Sequence, residues 1–248
     1  MTYFLFFPDA ILILITSLVQ KFKVLFRVIP VREWSVEVFS NKLDILGLPR
    51  VQGKMEVDLD IQKGLTGTFK TAHHGKIIFH ATAIPTCFGE KVCVKHPYQQ
   101  KSTRAIARYH ESEEYEMVVK ELVCLDWATI LLDLTYAFIA EAVLEHGDPP
   151  REVPKLRFVR AMLTEAPTLK NSTKHFLVEE WVGSTKAFTK YINNGRPVSC
   201  VQPDAPKEDH QIAEFLCFAQ HVQYNQTGGL AFTSDYQGLL IHIQPVGF

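Results

Sequence analysis

The chain predicts an α+β fold, with its strands mostly ahead of its helices. Three observations carry this. From Val51 the apolar period is two, with Met55, Val57, Leu59 and Ile61 alternating with Glu56, Asp58, Asp60 and Gln62, the pattern of a half-buried strand. Residues 112–146 carry apolar side chains at helical spacing without a Gly or Pro. A second helical pattern runs from about Glu208 to Tyr224, behind a Pro-rich loop from Pro197 to Pro206. At 248 residues and 47% hydrophobic, the chain can bury a sizeable core, as one bilobal domain or two small ones.

Charge and cysteine usage narrow the function classes. A formal net charge of −1 gives neither a nucleic-acid footprint nor a polybasic membrane patch. Cys87, Cys93, Cys124, Cys200 and Cys217 have no Cys-x-x-Cys spacing, which reads as reduced thiols in a cytoplasmic protein. The sequons at Asn171 and Asn225 matter only in a secreted chain.

Residues 3–19 are apolar but broken by Pro8 and Asp9, with Lys21, Lys23 and Arg27 behind them. They match neither a signal peptide nor a full spanning helix. A buried N-terminal element is expected there, and membrane contact is the less favoured reading. Trp34 to Pro49 is mixed and reads as a lead-in. After the Val51 strand comes Gly64-Leu-Thr-Gly67-Thr68-Phe69-Lys70-Thr-Ala72, then a second apolar run from Lys76 to Ala81. Strand, glycine-rich turn and strand make a hairpin whose bare backbone can lie over phosphates. It lacks the Gly-x-x-x-x-Gly-Lys-Ser/Thr spacing of a Walker loop, and an ordinary glycine hairpin has the same pattern.

In Lys91-Val-Cys-Val-Lys95, Val92 and Val94 face one way, and Cys93 and Lys95 the other. Lys95 is a candidate fixed cation for phosphates; a solvated strand-end lysine is the plain alternative. In the helix from 112 to 146, Ser112 can cap, Glu113 and Glu114 fill the first turn, and Gly147-Asp-Pro-Pro150 ends it. Its length predicts a break near Trp127. Glu116 or Glu121 can reach back to Lys95. Phe158 to Met162 and His175 to Trp181 read as a strand pair joined by a polar loop, Pro167 to Lys174. On the second helix Ile212, Phe215, Ala219 and Val222 form the packed face, with His221 off it. Gly229-Leu-Ala-Phe-Thr-Ser-Asp235-Tyr-Gln237-Gly238 then runs a short apolar strand into one acid and one amide. Asp235 and Gln237, two apart on extended chain, point the same way and can reach one metal-bound phosphate; alternatively Asp235 caps a turn.

Taken together, the order of these parts resembles the α-kinase family of atypical protein kinases, most closely its fungal branch. The parts are Gly67-Thr-Phe-Lys-Thr-Ala, Val94-Lys95-x-Pro-Tyr, a long helix with Trp127-Ala, Val178-Glu-Glu, Lys190-Tyr-Ile-Asn-Asn, Phe218-x-x-His221 and Asp235-x-Gln-Gly. The resemblance covers roughly residues 51–238. It implies a two-lobed α+β kinase-like fold, with an N-lobe of curved antiparallel sheet plus the long helix and a small, truncated C-lobe. Residues 1–50 would be an apolar extension and 51–248 the kinase domain. The implied activity is transfer of the γ-phosphoryl group of ATP to Ser or Thr of a protein substrate.

The same resemblance implies residue roles. Gly67, Thr68, Phe69 and Lys70 would lie over the ATP phosphates, and Lys95 would contact them. Glu179 and Glu180 would sit in the hinge beside adenine. Asp235 would orient or deprotonate the acceptor hydroxyl, and Gln237 with Asp235 would hold Mg²⁺. The family follows Gln-Gly with a glycine-rich turn and Thr-Asp-Pro, whose Asp binds metal. Here the tail reads Gly238-Leu-Leu-Ile-His-Ile-Gln-Pro-Val-Gly-Phe248, with no Asp, Glu or Cys. A weakened Mg²⁺ site and no zinc are therefore expected, since His221 and His242 fall short of the four ligands of structural zinc. The alternative reading is a pseudokinase that keeps the fold as a binding or scaffold module.

Overall fold

The computed structural model describes residues 19–30, 32–35, 37–38, 41, 43–60, 65–67, 69–79, 88–100, 106–169, 171–183, 189–194 and 196–238. The apolar run at 3–18, Thr68 and the tail at 239–248 with His242 lie outside them. In chain order the elements are β1 (Gln20–Val28), β2 (Arg50–Val57), β3 (Leu65–Thr66), β4 (Lys70–Phe79), β5 (Lys91–Pro97), β6 (Gln99–Gln100), β7 (Ile106–Ala107), α1 (Glu111–His146), β8 (Ala161–Pro167), β9 (Thr173–Glu180), β10 (Thr189–Lys190), β11 (Ile192–Asn193), β12 (Arg196–Ser199), α2 (Lys207–Gln226) and β13 (Gln237–Gly238).

The main sheet is antiparallel and curves until it closes. Around the ring β1 pairs β2, β2 pairs β4, β4 pairs β5, β5 pairs β9, β9 pairs β8, and β8 returns to β1. Closure removes the open edges that a sheet this size would otherwise present. The inward side chains form one core, including Phe26, Met55, Ile77, Val92, Val94 and Phe176. Each large side chain so buried contributes about 1.5–3 kcal/mol.

Two glycines sit on the β2–β4 seam. Gly53 lies opposite Phe79 and Gly75 opposite Val57. A Cβ on Gly53 would fall 2.6 Å from Phe26 Cε2 and 2.7 Å from the Ile78 carbonyl oxygen. The second contact is backbone in the ladder, so it yields only if the seam opens. Gly53→Ala is expected to cost about 2 kcal/mol, the usual size of an overpacking penalty. Urea unfolding measures it, and an unchanged midpoint would show that the seam has slack there.

β1 lies upstream of the expected boundary at residue 51, so the sheet draws on the segment read as an extension. Arg27, 2% exposed, donates from Nη1 to the carbonyls of Ile45 (3.2 Å), Leu46 (2.6 Å) and Leu48 (3.3 Å), and its Nε lies 3.4 Å from Glu165 Oε2. The lead-in is also strapped to α1. Arg32 pairs with Asp126 through both oxygens, and the Trp34 N–H donates to Asp133 Oδ2 at 2.7 Å.

α1 runs unbroken for 36 residues, about 54 Å, through Trp127. The break expected there is absent because the helix has no Gly or Pro and two partners rather than one. By length and composition it could cross a membrane, but its apolar side chains serve two cores. Val118 and Leu122 pack with Ala161, Leu163 and Leu177 on the outer face of the sheet. Leu132, with Tyr136 and Ile139, packs on Ile212, Phe215 and Leu216 of α2. The sheet with the first half of α1 is one lobe; α2 and the short strands with the second half are the other.

Three local readings shift. The helix begins at Glu111, and Glu113 rather than Ser112 caps it, accepting from the His110 N–H at 3.1 Å. β4 starts at Lys70 rather than Lys76 and pairs with β3 inside the glycine turn, while β2 and β4 pair as the expected hairpin. The strand expected at Phe158 to Met162 begins at Ala161. The preceding linker is held instead by Tyr136, whose hydroxyl accepts from the Leu156 N–H at 2.7 Å and donates to the Pro154 carbonyl at 2.8 Å.

Candidate functional site

Alternation along β5 sends Val92 and Val94 into the barrel and Cys93 and Lys95 to its outer face, where α1 packs. Register does the rest. Cys93 lies opposite Glu179 and Lys95 opposite Leu177. The Lys95 ammonium therefore reaches diagonally to Glu179, 2.6 Å from each carboxylate oxygen. Burial acts to lower the Lys95 pKa, but the charge and hydrogen bond of Glu179 outweigh it, and the net shift is upward. The ammonium is thus held charged and fixed in position. Beside it, burial and the Glu179 charge push the Cys93 thiol up to about 11, so it is not a nucleophile at neutral pH.

The turn of the glycine hairpin is tied down by hydrogen bonds. The Gly67 N–H donates to the Lys70 carbonyl at 2.9 Å and the Tyr98 N–H to the Phe69 carbonyl at 3.0 Å, while the Tyr98 hydroxyl donates to the Gly67 carbonyl. Phe69 is left 61% exposed at the tip. Lys70 pairs with Glu121 of α1. A concavity between hairpin, β5, β9 and α1 is lined by Phe69, Lys70, Pro97, Met117, Glu121 and Leu177, with Val118 at its floor.

Several expected pairings change partner. Glu121 meets Lys70, Glu116 is exposed, and Lys95 takes Glu179. Glu179 and Glu180 are adjacent on a strand and so point to opposite faces. Glu180 is held by both terminal nitrogens of Arg157 and accepts from the Arg160 N–H at 2.8 Å.

The second group of residues lies in the other lobe. Asp235 takes φ +61°, in the left-handed region. Its half-exposed carboxylate pairs with Lys190 of β10. Asp235 is thus not on extended chain as expected, so the spacing of two does not by itself align it with Gln237, which lies on β13 opposite Lys190 and is exposed. Lys190 is a site residue that sequence reasoning did not single out, although it opens the Lys190-Tyr-Ile-Asn-Asn run. His221 is exposed with Asn225 Nδ2 at 3.0 Å from its Nε2. No direct contact is seen between the Lys95 group and the Asp235 group among the described residues.

The residues suit a nucleotide: a fixed cation, a hairpin with an exposed tip at Gly67 and Phe69, and an adjoining concavity. For Mg²⁺ the donors are hard oxygens, the Asp235 carboxylate and the Gln237 amide. Such ions take one or two protein oxygens plus substrate phosphates, so the donor chemistry fits, with the Lys190 cation competing for the carboxylate. Among the described residues no three His, Cys, Asp or Glu side chains gather as a metal cluster.

No curated protein matches the chain. Among solved structures it is similar to an α-kinase from Entamoeba histolytica, with TM-score 0.55, 12% identity and 90% of this chain covering 74% of that one. It is also similar to the α-kinase domain of myosin heavy chain kinase A in complex with ADP, with TM-score 0.48, 14% identity and coverage of 89% and 79%. The same domain in complex with AMP-PNP gives TM-score 0.48, 12% identity and coverage of 90% and 80%. The sequence pattern of the alpha-kinase family matches residues 66–246, most of the chain, from the glycine hairpin through Lys95 to beyond Asp235 and Gln237, and the chain belongs to the α-kinase family.

Proposed function

We propose that the protein is an ATP-dependent serine/threonine kinase of the α type, acting in the cytoplasm on a protein substrate. The observation that carries this reading is the Lys95–Glu179 pair beside the glycine hairpin, in a chain of this family. Phosphoryl transfer asks little covalent chemistry of the protein; it asks for position and charge. Lys95, held charged by Glu179, binds phosphate oxygens without first having to be ordered. Phe69 and the backbone of Gly67 cover them from water. Asp235 accepts a hydrogen bond from the acceptor hydroxyl and orients it toward the phosphoryl group. Lys190 holds the Asp235 carboxylate in place until the hydroxyl arrives. Mg²⁺ bound at Asp235 and Gln237 would supply neutralisation of the phosphate charge.

A second reading, a nucleotide-binding scaffold, is favoured by the Lys190 cation on the Asp235 carboxylate, which competes with both a metal ion and an acceptor hydroxyl there. The two separate by experiment. Thermal melting of the full chain is followed against ATP, with and without Mg²⁺, and labelled γ-phosphate transfer to Ser/Thr peptides is measured in parallel. The kinase reading expects a Mg²⁺-dependent rise in melting temperature together with transfer. A rise without transfer gives the scaffold, and no rise from a cooperatively melting chain rejects both.

A further inference from the structure

α2 buries two glutamines where packing alone would place leucines. Gln223 is 0% exposed and Gln220 4%. Burying amides is costly unless their bonds are made; one bond from each amide goes to the same residue, while Gln220 Oε1 has no partner among the described residues. The Thr233 N–H donates to Gln223 Oε1 at 2.8 Å, and Gln220 Nε2 donates to the Thr233 carbonyl at 2.8 Å. Three residues apart on one helix face, the two amides grip both backbone groups of the residue two before Asp235.

The grip extends to the long helix. Gln223 Nε2 donates to Thr135 Oγ1 at 3.2 Å, and Thr135, also fully buried, donates to the Leu131 carbonyl at 3.0 Å. On the other side of Asp235, the Tyr236 carbonyl accepts from the Tyr191 N–H at 2.9 Å and the Ile192 N–H at 3.3 Å. Ser234 Oγ donates to the Asn193 carbonyl at 3.0 Å. Asp235, in its left-handed conformation, is thus pinned on both flanks. An aspartate at positive φ persists only where its surroundings over-determine it.

We propose that Gln220 and Gln223, with Thr135 behind Gln223, are positioning residues for Asp235. Through α1, which packs on the sheet face bearing Lys95, they hold the acceptor-orienting loop in register with the phosphate-binding lobe. This rests on the kinase reading above. The glutamines touch neither substrate nor nucleotide; they set where the Asp235 carboxylate stands.

The test uses the full chain with Gln223→Met and Gln220→Met, which keep side-chain size and lose the hydrogen bonds, and the milder pair Thr135→Val and Thr135→Ser. Phosphate transfer to a Ser/Thr peptide is expected to slow by about tenfold or more in both methionine variants and in Thr135→Val. KM for ATP should stay within about twofold, and Thr135→Ser should transfer like the parent. Amide exchange should quicken across residues 231–236 and stay unchanged across 92–95. Unchanged transfer in the methionine variants overturns the proposal, as does a loss of ATP affinity in step with rate in variants that still melt cooperatively. If the methionine variants do not fold, equal rates for Thr135→Val and Thr135→Ser overturn it. If the parent itself transfers no phosphate, the kinase reading fails, and the clamp is judged by exchange alone. Quickened exchange at 231–236 in Gln223→Met or Thr135→Val then supports it, and unchanged exchange overturns it.

Discussion

Lys95→Ala is expected to abolish stabilisation by ATP and to slow phosphate transfer by about a hundredfold or more, the scale seen when a fixed charge donor is removed. The reason is geometric as well as electrostatic. The ammonium sits 2.6 Å from both Glu179 oxygens, on a strand clamped between β4 and β9. On the kinase reading, no ordering of the lysine would have to precede phosphate binding. The variant also leaves Glu179, 9% exposed, without its cation. Breaking a fully buried pair costs about 3–5 kcal/mol. This pair retains some solvent on the lysine side, so about 2–3 kcal/mol is expected, or a melting temperature lower by about 4–12 °C. The two effects separate in the double variant Lys95→Met/Glu179→Gln. It should recover part of the stability, because no buried charge is stranded, but none of the ATP response. A Lys95→Ala protein that still melts higher with ATP, to the same degree as the parent, would remove Lys95 from the phosphate site.

The parts of this fold legible in sequence are those set by local periodicity. β5 shows its two faces in Val92-Cys93-Val94-Lys95, and α2 shows its packed face in Ile212, Phe215, Ala219 and Val222. The long helix shows itself by lacking Gly and Pro over 111–146, although its continuity depends on having two cores to serve. Closure of the barrel was not legible. β1 follows directly on an apolar run, and although Phe22, Val24, Phe26 and Val28 do alternate with Lys21, Lys23 and Arg27, that run masks the period. The β2–β4 seam is the hairpin expected between the Val51 strand and the run from Lys76; what stays hidden is that β1 and β8 join it to complete the ring.

The site divides the same way. Lys95 could be found from its strand, but its partner could not, because a diagonal pair requires the register between β5 and β9. A helix-to-strand ion pair suggested Glu116 or Glu121; the sheet instead gives Lys95 to Glu179 and leaves Glu121 to Lys70. Lys190 lies on a two-residue strand with no period to read. Gln220 and Gln223 look like wet positions on an amphipathic helix. Only the path of residues 231–236 across α2 turns them inward.

The other large effect is expected at Glu114, 4% exposed in the first turn of α1. One carboxylate oxygen accepts from His96 Nε2, directly after Lys95 on β5, and the other accepts from the His175 backbone N–H at 2.6 Å. The acid therefore ties the start of the helix to two neighbouring strands at once. Glu114→Ala strands two buried donors at about 1–3 kcal/mol each, so a loss of about 3 kcal/mol and roughly 6–12 °C is expected. This loss should also depend on pH. Burial lowers the pKa of His96, His175 and His73, with the Arg108 charge adding to the lowering at His96 and His73. A folded-state pKa below the unfolded value of about 6.5 means that the unfolded chain binds more protons in acid. Stability is thus full above about pH 6.5 and falls as the pH drops toward the folded-state values. Glu114 opposes the lowering at both His96 and His175, so its removal carries both histidines further down and extends the acid-sensitive range. The gap in melting temperature between Glu114→Ala and the parent should be wider at about pH 5 than at about pH 7.5. An equal gap at both would mean that Glu114 holds the helix to the sheet through the His175 backbone alone, with the imidazole of His96 contributing packing against Phe176 and no proton linkage.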